Sequence, residues 1–416
     1  MAVLHIVGAG LAGLSAALHG LSAALHGLAE GWTVKLYEAS GQAGGRCRSY
    51  HDAVLDRVID NGNHLILSGN RETLAYLRRI GASDTLTGPT QALFPFLDLA
   101  SGERWDLRPG WALPWSATRR APGTSAQDYL PWRLLTADAG ATVADCLPSG
   151  SALERVWRPL LVSALNTPLE QASARLAGRL LRETLLRGAA ACRPLVAADS
   201  LEDSFVAPAL RHLARAGAGM QPHRRLTGID SQSGRATALH FAETVIPLGA
   251  RDVVILALPA TAAADLLALN LPLEHQAIVN GHFRLDTPAL PGGECFLALV
   301  GGTAEWLFRR GDVISTTTSA ANALAEQPAE RIAALLWADI CRALELPEGA
   351  PVPPYRIVKE KRATLAQTPA MVATRPAPLS RWDNLALAGD WVATGLPCTI
   401  ESAVRSGRLA VETVSN

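Results

Sequence analysis

The 416-residue sequence predicts an α/β protein in which a three-layer domain, assembled from separated stretches of chain, is interleaved with an α+β domain. Three observations predict it. An apolar strand runs into a glycine-rich turn near the N-terminus; a second strand ends in an acid; and far downstream a further apolar strand breaks at Gly389-Asp390. Single cores stop growing near ~250 to 300 residues, so two domains are expected.

Leu4-His5-Ile6-Val7 reads as a buried parallel strand running into Gly8-Ala9-Gly10-Leu11-Ala12-Gly13, a G-x-G-x-x-G turn. In the Rossmann-like reading Gly8 permits the sharp turn, Gly10 lets main chain approach a pyrophosphate, and Gly13 lets the following helix pack on the strand. The helix N-terminus then offers unpaired N–H donors to phosphates. Thr33-Val34-Lys35-Leu36-Tyr37 is the second strand, and Glu38 ends it where an acid can accept hydrogen bonds from ribose hydroxyls. Strand, turn, helix, strand and acid in this order are far more specific than the hexapeptide alone.

The spacing is stretched. Residues 13–19 read GLSAALH and residues 20–26 repeat them letter for letter, so a heptad is duplicated. Glu38 lies 25 residues beyond Gly13, and removing one copy leaves 18, against an expected separation of about 20. Seven helical residues add ~10.5 Å and rotate the apolar face by only ~20°, so the buried stripe survives. The extra turns are expected to overhang the sheet or to unwind around residues 27–31. The same region, uncharged from Ala2 to Ala29, imitates a leader or a membrane span, but it lacks a basic flank and is interrupted by Gly8, Gly10, Gly13, Gly20 and Gly27.

Composition narrows the partners. Lys plus Arg (38) balances Asp plus Glu (38), which argues against nucleic acid. Six scattered cysteines and ten histidines show no metal-ligand spacing, so no metal is expected, and the cysteines suit a reducing cytoplasm. Further along, Phe94 to Leu107 alternates around Ala100-Ser101-Gly102 as a hairpin, and Ala152 to Ala191 has helical periodicity. Strands are expected at 276–286, 295–300 and 312–318, and an amphipathic helix near 328–345. Trp105, Trp111, Trp115 and Trp132 fall near Arg119, Arg120 and Arg133, which suits either a lipid interface or ordinary packing.

Gly44-Gly45-Arg46 after Glu38, and Asn384-Leu385-Ala386-Leu387-Ala388-Gly389-Asp390-Trp391 followed by Thr399-Ile400-Glu401, resemble the flavin amine-oxidase and carotenoid-desaturase superfamily. The resemblance implies FAD. It places Gly8, Ala9, Gly10, Leu11, Ala12, Gly13 and Arg46 at the phosphates and Glu38 with Ala39 at the ribose. Gly44, Gly45, Gly62, Asn63 and His64 would stand along the cofactor, Asp390 beside Gly389 on the ribityl chain, and Thr399 and Ile400 at the flavin's O2. Leu226 and the run Asp252 to Pro259 look like a strand pair closing over the adenine. The flavin domain would then comprise residues 1–88, 200–266 and 376–416, and the substrate domain residues 89–199 and 267–375.

Asp60-Asn61-Gly62-Asn63-His64, Arg158-Pro159-Leu160-Leu161, Ala164-Leu165-Asn166-Thr167-Pro168, Glu360-Lys361-Arg362-Ala363-Thr364 and Gly389 to Pro397 resemble one branch over the whole chain. That branch is the squalene-associated FAD-dependent desaturases, the hydroxysqualene dehydroxylase family of bacterial hopanoid synthesis. Departures are the duplicated heptad and Cys398, where a small residue such as Ala is expected. The resemblance implies reductive removal of a hydroxyl from an apolar isoprenoid, with His64 as candidate acid or flavin contact and Trp391 as a flavin flank or a packing residue. An oxidative carotenoid-type desaturase and a flavin-free prenyl-binding relative are the alternatives. Location would be cytoplasmic, with peripheral contact at the inner membrane face if the tryptophans serve an interface. No second G-x-G-x-x-G marks a nicotinamide site, which leaves the electron donor open.

Overall fold

The computed structural model describes residues 2–23, 32–110, 115–286, 290, 295–347 and 349–415. The expected fate of residues 27–31 and the position of Trp111 lie outside the described residues.

Val3–Val7 sits centrally in a five-stranded parallel sheet, between Thr33–Tyr37 on one side and Val253–Leu256 on the other. Met220–Gln221 and Leu385–Leu387 form its edges. Runs such as VVIL and LAL carry no polar alternation because both faces of the sheet are covered. On one face lie the helices Leu11–Ala23 and Ile400–Ser415, sharing a core with Leu4, Ile6, Leu36 and Ile255. The two helices touch closely enough that a Cβ at Gly407 would stand 2.3 Å from the Ala12 carbonyl oxygen, and the Ser15 hydroxyl donates to the Val404 carbonyl (2.8 Å).

The other face is covered by the antiparallel strands Leu226–Gln232, Arg235–Phe241 and Thr244–Pro247. Leu226, Leu239 and Phe241 share a core with Val7, Val254 and Leu256, completing the three layers. The buried Asn384 amide fastens the layers by bonding both N–H and C=O of Ala236 (2.9 and 3.0 Å). The expected strand pair of Leu226 with Val253–Leu256 is therefore corrected. The two strands lie in different layers, because a largely exposed strand pairs within the outer sheet while the continuous apolar run enters the parallel one.

The second large sheet has seven strands in the order Tyr355–Leu365, His275–Arg284, Val313–Thr318, Trp306–Arg310, Phe296–Val300, Phe94–Asp98, Arg104–Leu107. All neighbours are antiparallel except Phe94–Asp98 beside Phe296–Val300. The expected hairpin and three expected strands are present. Helix Ala329–Leu344 packs one face through Ile332, Leu336 and Ile340. The expected helical stretch at 152–191 is broken at Asn166, whose left-handed φ of 44° ends helix Arg158–Leu165 before Ala174–Glu183 begins. The Asn166 side chain is buried and fully used: it donates to Thr364 Oγ1 (2.9 Å) and the Gln276 carbonyl (3.2 Å) and accepts from the Ala320 N–H (2.7 Å). Among the described residues no helix is long and apolar enough to cross a membrane.

Candidate functional site

The glycine turn closes tightly. Gly8 has a φ of 105° and its N–H donates to the Tyr37 carbonyl (2.8 Å); a Cβ there would lie 2.3 Å from the Ala257 oxygen. A Cβ on Gly13 would stand 1.8 Å from the Gly8 oxygen. Gly10 differs, since a Cβ there would meet no atom within 4 Å. Its freedom from side-chain bulk answers to something that the polypeptide itself does not supply. The first N–H groups of helix Leu11–Ala23, including those of Leu11, Ala12 and Gly13, have no acceptor within the helix and favour an anion at this end.

Glu38 is fixed over this turn. Its Oε2 accepts from the Ala9 N–H (2.8 Å) and its Oε1 from the Ser40 N–H (2.9 Å), across the main chain of Ala39. The Ser40 hydroxyl also lies 3.1 Å from Oε1, and Oε2 keeps lone-pair capacity for a further donor. The Gly44-Gly45-Arg46 loop latches on alongside: the Gly44 N–H donates to the Ala9 carbonyl (2.8 Å), and Gly10 and Gly44 form an isolated parallel bridge. Gly44 and Gly45 both take positive φ, 100° and 60°.

Arg46 joins the N-terminal turn to the distant closing motif. Its Nη2 donates to Asp390 Oδ1 (2.7 Å), 344 residues away, and its Nη1 donates to the Ala363 carbonyl. Asp390 is buried at 8% exposure, whereas Arg46 is 45% exposed and so keeps one side toward the cradle. The Asp390 carboxylate raises the Arg46 pKa above its already high value, so the guanidinium stays charged. Gly389, with a φ of 151°, donates its N–H to Ser406 Oγ (2.8 Å) and leaves no room for a Cβ beside the Trp391 indole. Trp391 itself is buried and donates Nε1–H to the Leu258 carbonyl (2.9 Å), which makes it a packing residue. Thr399 precedes helix Ile400–Ser415, its carbonyl accepting from the Ala403 N–H (2.9 Å) and its Oγ1 from the Ser402 N–H (3.3 Å). Leu226 is set apart from these groups, buried with Val7 and Tyr37 between the two sheets.

Asn61 to His64 lead to the second sheet. The Asn63 amide donates to Thr317 Oγ1 (3.0 Å), and Gly62 lies against the Asn280 amide. His64 and Asn63 line a pocket with Val196, Phe308, Arg310 and Ser315. Burial lowers the His64 pKa below 6.5; Asp60 opposes the shift and Arg46 adds to it. Behind the pocket, Asp60 is 1% exposed. Its Oδ1 accepts from Ser49 Oγ (2.6 Å) and the Leu201 N–H (3.0 Å), while Arg310 pairs with its Oδ2 (2.7 Å). Sequence reasoning missed Arg310 and Ser315, which belong to no motif and meet His64 only through strand register. Cys398 is buried against Arg375 Nη2 (3.3 Å), and burial pushes its thiol up to about 11, so it packs as an inert neutral group.

The residues present fit a dinucleotide. A side-chain-free floor at Gly10, a helix N-terminus, a fixed Glu38 carboxylate and a permanently charged Arg46 surround one cradle. The fold and this cradle define a flavin-dependent oxidoreductase. Residues 11–415 match the model of the flavin containing amine oxidoreductase family, and the chain belongs to that family, with FAD as its cofactor. It is 45% identical over 422 residues to the hydroxysqualene dehydroxylase of Rhodopseudomonas palustris, covering 99% of this chain and 98% of that one. It is 44% identical over 416 residues to the hydroxysqualene dehydroxylase of Sinorhizobium fredii, covering 98% and 97%. Among solved structures, an oxidoreductase from Methanosarcina mazei superposes with a TM-score of 0.73 at 14% identity, covering 99% of each chain. Cyclohexylamine oxidase from Brevibacterium oxydans gives 0.71 at 14%, covering 100% of this chain and 98% of that one. These distant likenesses establish the fold.

Proposed function

We propose that this chain reduces hydroxysqualene to squalene, replacing the hydroxyl by hydrogen and releasing water. The observation that carries the reading is the end-to-end identity of 43 to 45% with three hydroxysqualene dehydroxylases. Bound FAD, in its reduced form, supplies the hydride equivalent. Gly8 to Gly13 and Arg46 would hold the pyrophosphate, Glu38 the ribose, and Asp390 with the start of helix Ile400–Ser415 the flavin end.

The pocket beside His64 is lined by apolar and polar groups in comparable measure. Its Val196, Cys295 and Phe308 pack against the aromatic cluster of Phe94, Phe96, Phe296, Trp105 and Trp306, while Asn63, His64, Arg309, Arg310 and Ser315 form a polar end. In this reading His64 protonates the departing oxygen. Burial keeps its imidazole mostly neutral near pH 7, so an acid role makes turnover rise as pH falls below 6.5. Anaerobic incubation of the reduced holoenzyme with hydroxysqualene, followed by mass analysis, should yield squalene. Recovery of the alcohol unchanged, or of a product with an added double bond, refutes the reading. His64→Phe should lose single-turnover reduction.

Peripheral contact with a lipid surface belongs to the same proposal. Trp115 and Trp132 are 72% and 65% exposed, Arg133 is exposed next to Trp132, and a C30 hydrocarbon partitions into lipid. Trp105, by contrast, stacks on Phe96 in the core. Co-sedimentation with anionic vesicles should weaken in the Trp115→Ser/Trp132→Ser variant; unchanged binding removes this assignment.

A further inference from the structure

In a pleated sheet, residues directly opposite one another on neighbouring strands present their side chains to the same face. The register of the seven-stranded sheet therefore builds two adjacent rows. One runs His282, Ser315, Phe308, Phe296; the other runs Asn280, Thr317, Trp306, Ala298, Phe96, Trp105. Each row is polar on the strands His275–Arg284 and Val313–Thr318 and aromatic or apolar beyond them. The boundary falls between Ser315 and Phe308 in the first row, and both of these residues line the pocket that holds His64.

The hydroxyls at this boundary are not equivalent. Thr317 Oγ1 accepts from the Asn63 side-chain amide (3.0 Å) and donates to Asn280 Oδ1 (2.9 Å). Ser315 Oγ is bonded to His282 Nδ1 at 2.7 Å, and a hydroxyl can make more than one such bond. His282 is 1% exposed and lies behind Ser315, away from the pocket lining, so it holds the serine without reaching substrate itself. The Asp60 main chain also supports the buried ring. The Nδ1 contact to Ser315 is the side-chain hydrogen bond that the buried ring makes. Of the other polar groups lining the pocket, Arg310 is committed to Asp60 and the Asn63 amide N–H to Thr317, while Arg309 and His64 stand beside Ser315.

We propose that Ser315, oriented by the positioning residue His282, recognises the hydroxyl group of the substrate and so selects an alcohol over the corresponding hydrocarbon. This rests on the reading of the chain as a hydroxysqualene reductase. Phe308, next in the row, would contact the carbon chain adjoining that hydroxyl. Burial holds His282 at about 4, so the Ser315–His282 contact is a neutral hydrogen bond at physiological pH and adds no charge to the pocket.

The test uses oxidised holoenzyme, in which no turnover occurs. Hydroxysqualene and squalene are titrated separately and their Kd values read from the perturbation of the flavin spectrum. Wild type should bind the alcohol more tightly than the hydrocarbon. Ser315→Ala should weaken hydroxysqualene about fivefold to tenfold, the worth of one hydrogen bond, and leave squalene unchanged. Ser315→Thr, which keeps the hydroxyl, should preserve the preference, and His282→Phe should reduce it without moving the squalene Kd. Equal weakening of both ligands in Ser315→Ala, an unchanged ratio, or no preference in wild type overturns the proposal. If His282→Phe does not fold, Ser315→Ala decides alone, with its flavin spectrum and melting temperature as the control for intact structure. Failure of the reduced wild-type enzyme to convert hydroxysqualene would sink the functional reading; conversion by wild type with an unchanged ratio in Ser315→Ala sinks the serine assignment only.

Discussion

Replacing Gly10 and Gly13 separately should divide the work of the glycine turn into folding and cofactor binding. An added Cβ at Gly13 lands 1.8 Å from the Gly8 oxygen, while real Cβ contacts stay beyond about 3.0 Å, so Gly13→Ala forces the helix start to move by about 1.2 Å or more. That shift approaches the ~1.5 Å rise of one helical residue and spoils the aim of the first N–H groups. Loss of two charge-assisted hydrogen bonds, at about 1.5 to 3 kcal/mol each, lowers FAD affinity by roughly 10² to 10⁴, and the strained core lowers the melting temperature of the apoprotein as well. Gly10→Ala meets no protein atom within 4 Å, so the apoprotein should melt as wild type does, yet the methyl group occupies the cradle and FAD affinity should fall at least tenfold. The assay is equilibrium titration of apoprotein by flavin fluorescence, paired with thermal melts. Gly140→Ala, at an exposed glycine with equally open surroundings, is the control. Wild-type FAD affinity in Gly10→Ala would show that the pyrophosphate lies elsewhere and refute the cradle.

Three further outcomes follow from the same structure. Deleting residues 20–26 should leave FAD binding intact or improve it. Gly20 packs so close to Leu4 that a Cβ would stand 2.3 Å from its Cδ2, and the deletion brings Gly27 into that seat; complete loss of flavin would contradict this. Arg46→Ala should weaken FAD at least tenfold and destabilise the fold by about 1 to 3 kcal/mol. It strands the 8%-exposed Asp390 carboxylate, and the cost is discounted because Arg46 is 45% exposed; an apoprotein melting curve unchanged from wild type would show the pair to be energetically idle. Burial lowers His5 and His282 from 6.5 to about 4. Above pH 6.5 both are neutral in the folded and unfolded chain. As pH falls from 6.5 toward 4 only the unfolded chain takes up the protons, so stability declines, by up to about 3 kcal/mol per histidine at pH 4. His5→Gln should flatten that limb of a pH-dependent denaturation series, and an unchanged slope would rule out this source.

The parts of the fold visible in the sequence are those where one residue type answers one local demand. Gly8, Gly13 and Gly44 stand where a Cβ is sterically barred, and VLHIV and VVIL are apolar because both sides of their sheet are covered. Strand Tyr355–Leu365 escaped notice because it reads YRIVKEKRATL. It is an edge strand, and charges that blunt an exposed edge erase the period-two signal. The Asn166-Thr167-Pro168 motif is conspicuous in the sequence, but its role as a left-handed helix cap clamped to Thr364 and Ala320 depends on partners 198 and 154 residues away. Ser315, His282 and Arg310 were illegible for the same reason. Each lies on an ordinary strand, and only cross-strand register makes neighbours of them.

The long separations bear on how the protein acquires its site. Arg46 meets Asp390 across 344 residues, and Ser15 meets Val404 across 389. The closing helix Ile400–Ser415 must therefore dock on Leu11–Ala23 before the cradle is complete, and contacts of such range carry a loop-closure cost that local structure cannot offset in advance. A ligand that touches both ends repays that cost only in the docked state. FAD at a thousand times its Kd would stabilise the closed form by about 4 kcal/mol, comparable with a large part of a domain's net stability. The cofactor is thus a folding ligand as well as a redox group. The terminal helix should be the element that loosens first when it is removed, with amide exchange in residues 400–415 rising in the apoprotein ahead of exchange in the central strand Val3–Val7.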